Sequence, residues 1–262
     1  MTKKVLVLRT AAADMTSRGG FKYPKRGWVK APDWSAAPVC GGGLHGLLWG
    51  EGDGSHLNWD DDAKWLVLEV KEQELVDLDK KVKFPGGRVV FCGDRKGATQ
   101  YLLAHGGAGK AICGAALSQG DKAAVSAGYR GQASAGSWGQ ASAGEGGQAS
   151  AGEGGQASAG SWGQASAGSW GQASAGYRGQ ASAGSWGQAS AGEGGQASAG
   201  ENGTIIVQWW DNASKRYRVK VGYIGEDGLK PDTWYKVGDD RSWVEVGPVV
   251  KKDADKKEIA AA

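Results

Sequence analysis

From Gly128 to Ala199 the chain consists of nine consecutive octads of the form G-x-x-G-Q-A-S-A, with no residue inserted or lost. Few folds accommodate such a tract. The variable pair runs Tyr129-Arg130, Ser137-Trp138, Glu145-Gly146, Glu153-Gly154, Ser161-Trp162, Ser169-Trp170, Tyr177-Arg178, Ser185-Trp186 and Glu193-Gly194. Residues 128–151 and 176–199 are identical, which points to a recent duplication. Self-similarity at a fixed period belongs to stacked arrays, in which each repeat packs on its neighbours.

Gly/Ser/Ala tracts are also used as flexible linkers. Three features oppose that reading. The repeat length never slips, the large aromatics recur within one variable pair, and the flanking octads keep the phase while changing residue type. In residues 120–127 and 200–207 the sixth position, alanine in the repeat, becomes Val125 and Ile205; Leu117 occupies it one octad earlier, and the eighth position becomes Val207. Larger apolar residues at positions six and eight mark the inward face. Gln and Ser at five and seven then face water, as a strand with period two requires.

Alanine decides the cross-section. A three-sided coil with eight-residue sides encloses space that methyl groups cannot fill, and protein interiors avoid such voids. Two sheets lying closer than the usual ~10 Å can be packed by alanine alone. The expected fold is therefore mainly β: a two-sheet solenoid with two octads, sixteen residues, per turn. Eleven octads over 120–207 make about 5.5 turns and a rod of roughly 26 Å at ~4.8 Å per strand layer. Glycines at octad positions one and four are expected at the corners, where the backbone turns sharply or takes positive φ.

This period stacks Trp170 on Trp186 and puts Trp138 two layers before Trp170. It also aligns Gln132, Gln148, Gln164, Gln180 and Gln196 on one face and Gln140, Gln156, Gln172 and Gln188 on the other. Trp138, Trp162, Trp170, Trp186, Tyr129 and Tyr177 form a candidate aromatic corner for a ligand or partner. The plainer reading is that they cover thin corners and shield the backbone ladder. A flat face that orders ice would call for regular threonines, which Q-A-S-A lacks.

The repeat also explains the composition. It holds 21 of the 47 glycines, and four of 13 tryptophans, while the chain has only 6 prolines and 3 phenylalanines. These values exclude a single large core of Leu, Ile and Phe, and six prolines exclude collagen. No apolar run reaches the ~20 residues of a membrane span, and residues 1–9 lack a signal-peptide apolar region. The net charge of +3 is not concentrated in any block, so no segment is basic enough for a nucleic-acid binder or acidic enough to mimic DNA. The three cysteines, Cys40, Cys92 and Cys113, are odd in number and widely spaced, and read as reduced thiols in a cytoplasm.

Outside the array, residues 1–111 form a candidate small α+β domain. Val5–Leu8, Trp65–Val70 and Val89–Cys92 read as buried strands, and Asp94 as the N-cap of a helix to about His105. Between them lies an irregular Gly/Trp-rich stretch. Cys40, His45, His56 and Cys92 supply zinc-type donors, although their spacing matches no ligand pattern. Cys40 and His45 are a conceivable nucleophile–base pair without a third orienting group. Glu51, Asp53 and Asp60–Asp62 are oxygen donors for calcium without the EF-hand spacing. No cofactor is called for.

The array occupies 112–207, a β cap module 208–250 and a charged tail 251–262. In the cap, residues 204–210 and 216–223 read as strands around a turn at 211–214, followed by short strands near 233–237 and 242–246. Tyr217, Val219, Val221 and Tyr223 share one face of the second strand. Arg216, Arg218 and Lys220 share the other; beside Trp209 and Trp210 they are a weak nucleic-acid candidate, or simply a solvated outer face.

The motifs at Cys40–His45, Val89–Asp94 and Lys230–Tyr235, in order with the octads, resemble a set of uncharacterised bacterial and phage-associated proteins labelled as a domain of unknown function. That resemblance implies a phage or mobile-element setting, with the host cytoplasm as location, and brings no catalytic residues. The repeats are also similar to trimeric autotransporter heads, whose signal peptide, stalk and anchor are not expected here. Two functions follow. One is a non-enzymatic structural or interaction protein whose partner is a protein or another copy. The other is a small-ligand or enzymatic module in residues 20–110 with the solenoid as a handle.

Overall fold

The computed structural model describes residues 3–247, so the proposed tail at 251–262 lies outside the described residues. The N-terminal strands are β1 (Lys4–Ala11), β2 (Gly27–Lys30), β3 (Leu44–Leu48), β4 (Lys64–Lys71), β5 (Val76–Asp77), β6 (Val82–Phe84) and β7 (Gly86–Gly93). They form one seven-stranded antiparallel sheet in the order β2-β7-β4-β1-β3-β6-β5. The strands expected at Val5–Leu8, Trp65–Val70 and Val89–Cys92 are its centre. β2 and β3 arise inside the stretch that reads as irregular, because they gain their order by pairing with β7 and β1 rather than from local alternation.

Both faces of this sheet are covered. Leu6, Leu8, Trp65 and Val67 pack with Ala98 and Leu102 of α1 (Arg95–Leu102) and with Ile112 and Cys113. Asp94 caps α1, its carboxylate accepting from the Gly97 N–H at 2.8 Å. A π-type turn over Leu103–Gly107 follows the helix. On the opposite face Val7, Leu66, Leu68 and Phe84 lie under the loops that carry Met15, Tyr23 and Ala31.

The solenoid comprises β8 (Ala116–Ser118), β9 (Ala124–Ala127), nine Q-A-S-A strands from β10 (Gln132–Ala135) to β18 (Gln196–Ala199), and β19 (Thr204–Asp211). Successive strands alternate between two sheets. From β8 to β17 every rung pairs in parallel with the residues sixteen positions on, as Gln164 does with Gln180. The alanines at positions six and eight form one continuous buried core, ended by Ile205 and Val207, and the fold is the expected two-sheet β-solenoid. No helix among the described residues is long and apolar enough to cross a membrane.

The corners depart from expectation. Positive φ falls on octad position three, not on the glycines at one and four. Trp138, Trp162, Trp170 and Trp186 all sit at φ 59°, and Arg130, Arg178, Lys122 and Asn202 at 50–57°. Left-handed backbone costs a residue with a Cβ ~1–2 kcal/mol. Corner hydrogen bonds offset it: the position-three N–H donates to the position-two carbonyl one turn later, as Trp170 does to Ser185 at 2.9 Å. The flanking glycines are required by crowding instead. A Cβ on Gly152 would lie 2.7 Å from the Ser137 nitrogen, and one on Gly155 2.9 Å from the Gly139 oxygen, both in the preceding turn.

β19 does not stop at residue 207. Its first half is the last parallel rung of the array and its whole length pairs antiparallel with β20 (Arg216–Tyr223), while β21 (Trp234–Val237) pairs with β18 and with β22 (Trp243–Val246). Antiparallel strands thus close both parallel ladders.

Candidate functional site

Two repetitive faces and two edges dominate the accessible surface of the rod. On the β8–β18 sheet the glutamine column is bonded head to tail. Gln132 donates to Gln148 at 3.3 Å, Gln148 to Gln164 at 3.2 Å, Gln164 to Gln180 at 2.9 Å and Gln180 to Gln196 at 3.1 Å. Each amide is thereby fixed in orientation, as in the Gln ladders of stacked strands. Ser182 donates to Ser166 in the neighbouring column. A shallow trough of about 570 Å³ runs along these columns to Trp234, and one of about 660 Å³ runs along the opposite sheet to Ile206. Gln140, Gln156, Gln172 and Gln188 line the second trough in equivalent register, without amide-to-amide bonds among the described residues.

The six candidate aromatics do not share one corner. A sixteen-residue turn contains two corners, so Trp138, Trp170 and Trp186 lie along one edge and Tyr129, Trp162 and Tyr177 along the other. Trp170 and Trp186 stack at 5.3 Å with planes 5° apart. Trp138 covers Gly154, where a Cβ would come within 2.6 Å of its ring. On the second edge Trp162 meets Tyr177 edge-on at 5.9 Å, and Arg178 lies 5.0 Å from the Trp162 ring. The four tryptophans are each more than half exposed. Tyr129 is not an open surface: it packs against Trp59 at 5.5 Å and closes over Gly54, joining the first turn to the N-terminal domain.

In the cap, both faces of β20 carry exposed residues. Tyr217, Val219, Val221 and Tyr223 are exposed and extend the outer face of the β9–β19 sheet, whose register places Val221 opposite Ile206. On the other face, Lys220 turns toward the cap. Arg218 pairs with Asp211 at 2.6 Å, and Lys220 lies 5.5 Å from the Trp243 ring and donates to the Arg241 carbonyl. Arg216 and Arg218 are exposed, as expected of a solvated face, whereas Lys220 is half-buried, sharing the inward parity of its register partner Val207.

In the N-terminal domain the zinc candidates are not brought together. Among the described residues no three His, Cys, Asp or Glu side chains converge on a metal-sized site. Cys92 lies against Met15, its Sγ 3.8 Å from Sδ, and His56 is near Asp53 alone. The calcium candidates have other tasks: Asp53 closes a turn by accepting from the Ser55 N–H, Glu51 holds the distant segment at Lys110 and Ala111, and Asp60–Asp62 occupy an exposed turn. Nor are Cys40 and His45 a nucleophile–base pair. The neighbour of the Cys40 thiol is Lys81, while His45 Nε2 is buried without a partner.

Lys81 has a measurable consequence. By hydrogen bond and charge it holds the exposed Cys40 thiol below its ordinary range, whereas burial pushes Cys92 up and Cys113 up to about 11. Thiolate is the nucleophile, so a lowered pKa preserves reactivity as pH falls. Iodoacetamide followed by mass spectrometry is expected to label Cys40 first and to spare Cys113 in the folded protein. Lys81→Met should move the Cys40 labelling profile to higher pH; an unchanged profile would remove Lys81 as the cause.

Sequence reasoning missed two cations inside apolar strands, the half-buried Arg9 and the buried Lys83. Lys83 is fully buried and donates to the Val39 and Gly41 carbonyls at 2.9 and 3.1 Å, fixing the glycine loop. The available signal was a charge inside each of the apolar runs Val5–Ala11 and Val82–Phe84.

The fold and these surfaces define a repeat protein of the parallel two-sheet β-solenoid class, with a sheet domain before it and an antiparallel cap after it. Residues 5–102 match a family described as a domain of unknown function, DUF7666. The chain is also similar to an ice nucleation protein of Xanthomonas campestris pv. translucens, at 38% identity over 119 residues, 45% of this chain and 7% of that protein. It is 41% identical over 103 residues to an ice nucleation protein of Pseudomonas fluorescens, covering 38% of this chain and 8% of the relative. Ice nucleation protein InaU of Pantoea ananas matches at 38% over 104 residues, 39% of this chain and 10% of the relative. The chain thus spans a tenth or less of the length of these relatives. No solved structure matches. These relatives are bacterial, and nothing in them supports a phage or mobile-element setting.

Proposed function

We propose that the chain is a non-enzymatic structural protein whose working part is the solenoid, a rigid rod that contacts extended, periodic partners through its flat Gln/Ser faces and assembles side by side with further copies. The observation that carries this reading is the register: identical polar side chains repeat every sixteen residues in straight columns, one strand spacing apart, on faces that need no further burial. A single small ligand has no use for such translational repetition. Light scattering of the full chain over a range of concentrations tests it. Association that Trp170→Ser with Trp186→Ser weakens, at unchanged secondary structure, supports the edges as contacts, and a strict monomer at all concentrations overturns the assembly.

The similarity to ice nucleation proteins favours ordered water as the periodic partner. Regular threonines are absent, but the bonded glutamine column presents amide donors and acceptors in fixed orientation, beside a serine hydroxyl column of the same spacing. Droplets containing the full chain are expected to freeze warmer than buffer droplets. Gln164→Lys with Gln180→Lys breaks the column with two adjacent like charges and should lower the freezing temperature toward that of buffer. Equal freezing of wild type and buffer would remove water as the partner.

A further inference from the structure

The N-terminal domain holds a cavity that the structural role of the solenoid leaves unused. Along β1, Leu6 and Leu8 face α1, whereas Val7 and Ala11 face the loop-covered side, and Arg9 shares their parity. Its guanidinium enters a cavity of about 840 Å³ between the sheet and those loops, whose wall also contains Tyr23, His45, Lys81 and Trp59. That volume suits a small organic ligand.

The cavity is electrostatically incomplete. The Arg9 guanidinium stacks 3.9 Å from the centre of the Tyr23 ring and donates to the Tyr23 hydroxyl, but its Nε is buried without any acceptor. No carboxylate lies within ion-pair distance of it among the described residues. Tyr23 is not a counter-ion, since burial raises its pKa and keeps it a neutral phenol. His45 Nε2 is a second buried nitrogen without a partner in the same cavity. The two carboxylates at the cavity, Asp33 and Asp60, are exposed, and Asp33 is engaged by the Gly43 N–H. A half-buried guanidinium without a counter-ion carries a desolvation cost, and an anion that accepts its free hydrogen bonds offsets it.

We propose that this cavity binds a small oxyanion-bearing ligand, a carboxylate or a phosphate monoester, with the anionic group on Arg9 and supported by His45 and Lys81. The site is independent of the solenoid's surfaces and gives the N-terminal domain a ligand-binding role of its own.

Calorimetry and thermal shift on the full chain test this, with inorganic phosphate and acetate as probes and chloride at matched ionic strength as the reference. One of the two oxyanions is expected to bind with a 1:1 stoichiometry and raise the melting temperature above that in chloride. The stronger of them identifies the group. Arg9→Met should weaken that binding ~10-fold or more, the loss of one charge-assisted contact. Without anion the same variant should melt no lower than wild type, because a half-buried charge without a counter-ion has been removed. If Arg9→Met fails to fold, Lys81→Met and His45→Gln carry the test, each weakening the bound oxyanion. Binding unchanged in these variants, or a wild type that responds to neither oxyanion beyond chloride, overturns the site.

Discussion

Ala165→Leu is expected to destabilise the solenoid strongly, whereas Gln164→Lys, one residue away, should be nearly neutral. Ala165 is 2% exposed and sits between Ala149 and Ala181 in its column, against a second sheet that is also faced with alanine. Leucine adds three carbons where no void exists, and overpacking costs ~1–3 kcal/mol in an ordinary core. The cost here should reach or exceed the upper end. The sheets cannot separate around one side chain without stretching ladder bonds in the rungs above and below. Gln164→Lys loses two amide contacts on the outer face, with Gln148 and Gln180. These half-buried bonds join neutral groups that water can reach once they part, so the loss should stay within ~1 kcal/mol. Urea unfolding followed by circular dichroism compares the two, and equal tolerance would overturn the inside-outside assignment.

Truncation after Ala199 is expected to turn the protein into a filament-former. The missing residues include β19, which covers β17, and β21, which covers β18. Without them the last turn presents two unpaired parallel edges of Q-A-S-A, each a template for the next chain. In the intact protein β20 ends one ladder with Arg216, Arg218 and Lys220 within an antiparallel strand, and β22 ends the other. Electron microscopy should show end-to-end filaments one rod wide, distinct from side-by-side assembly through the edges. A truncated chain that remains monomeric in light scattering would show that the cap does not protect the edges.

How much of this was legible in the sequence depends on how far apart the interacting residues lie. The alternation of Gln and Ser with Ala, and the Val125, Leu117, Ile205 and Val207 substitutions in phase, disclosed the inward face, the two sheets and the turn length. The left-handed backbone at Trp138 and Arg130 was not legible, since a local reading assigns positive φ to glycine. Only the corner bond to the next turn makes it tolerable there. The orientation of β20 was hidden because both of its faces alternate regularly; the parity inherited from Ile205 through cross-strand pairing chose between them.

The chemical candidates divide the same way. Cys40, His45, His56 and Cys92 were chosen by residue type, and the chain path separates them. Arg9 was overlooked inside an apolar strand, and it acquires meaning only where loops after Ala11 and Ala31 roof the sheet over it. By itself the sequence determined the solenoid, because each octad meets a copy of itself sixteen residues away and a periodic rule suffices to place every contact. The tertiary structure alone decided the split of the aromatics between two edges, the outward face of the cap and the uncompensated cation in the N-terminal cavity. Those arise between segments unlike each other and distant along the chain, where no local period carries the information.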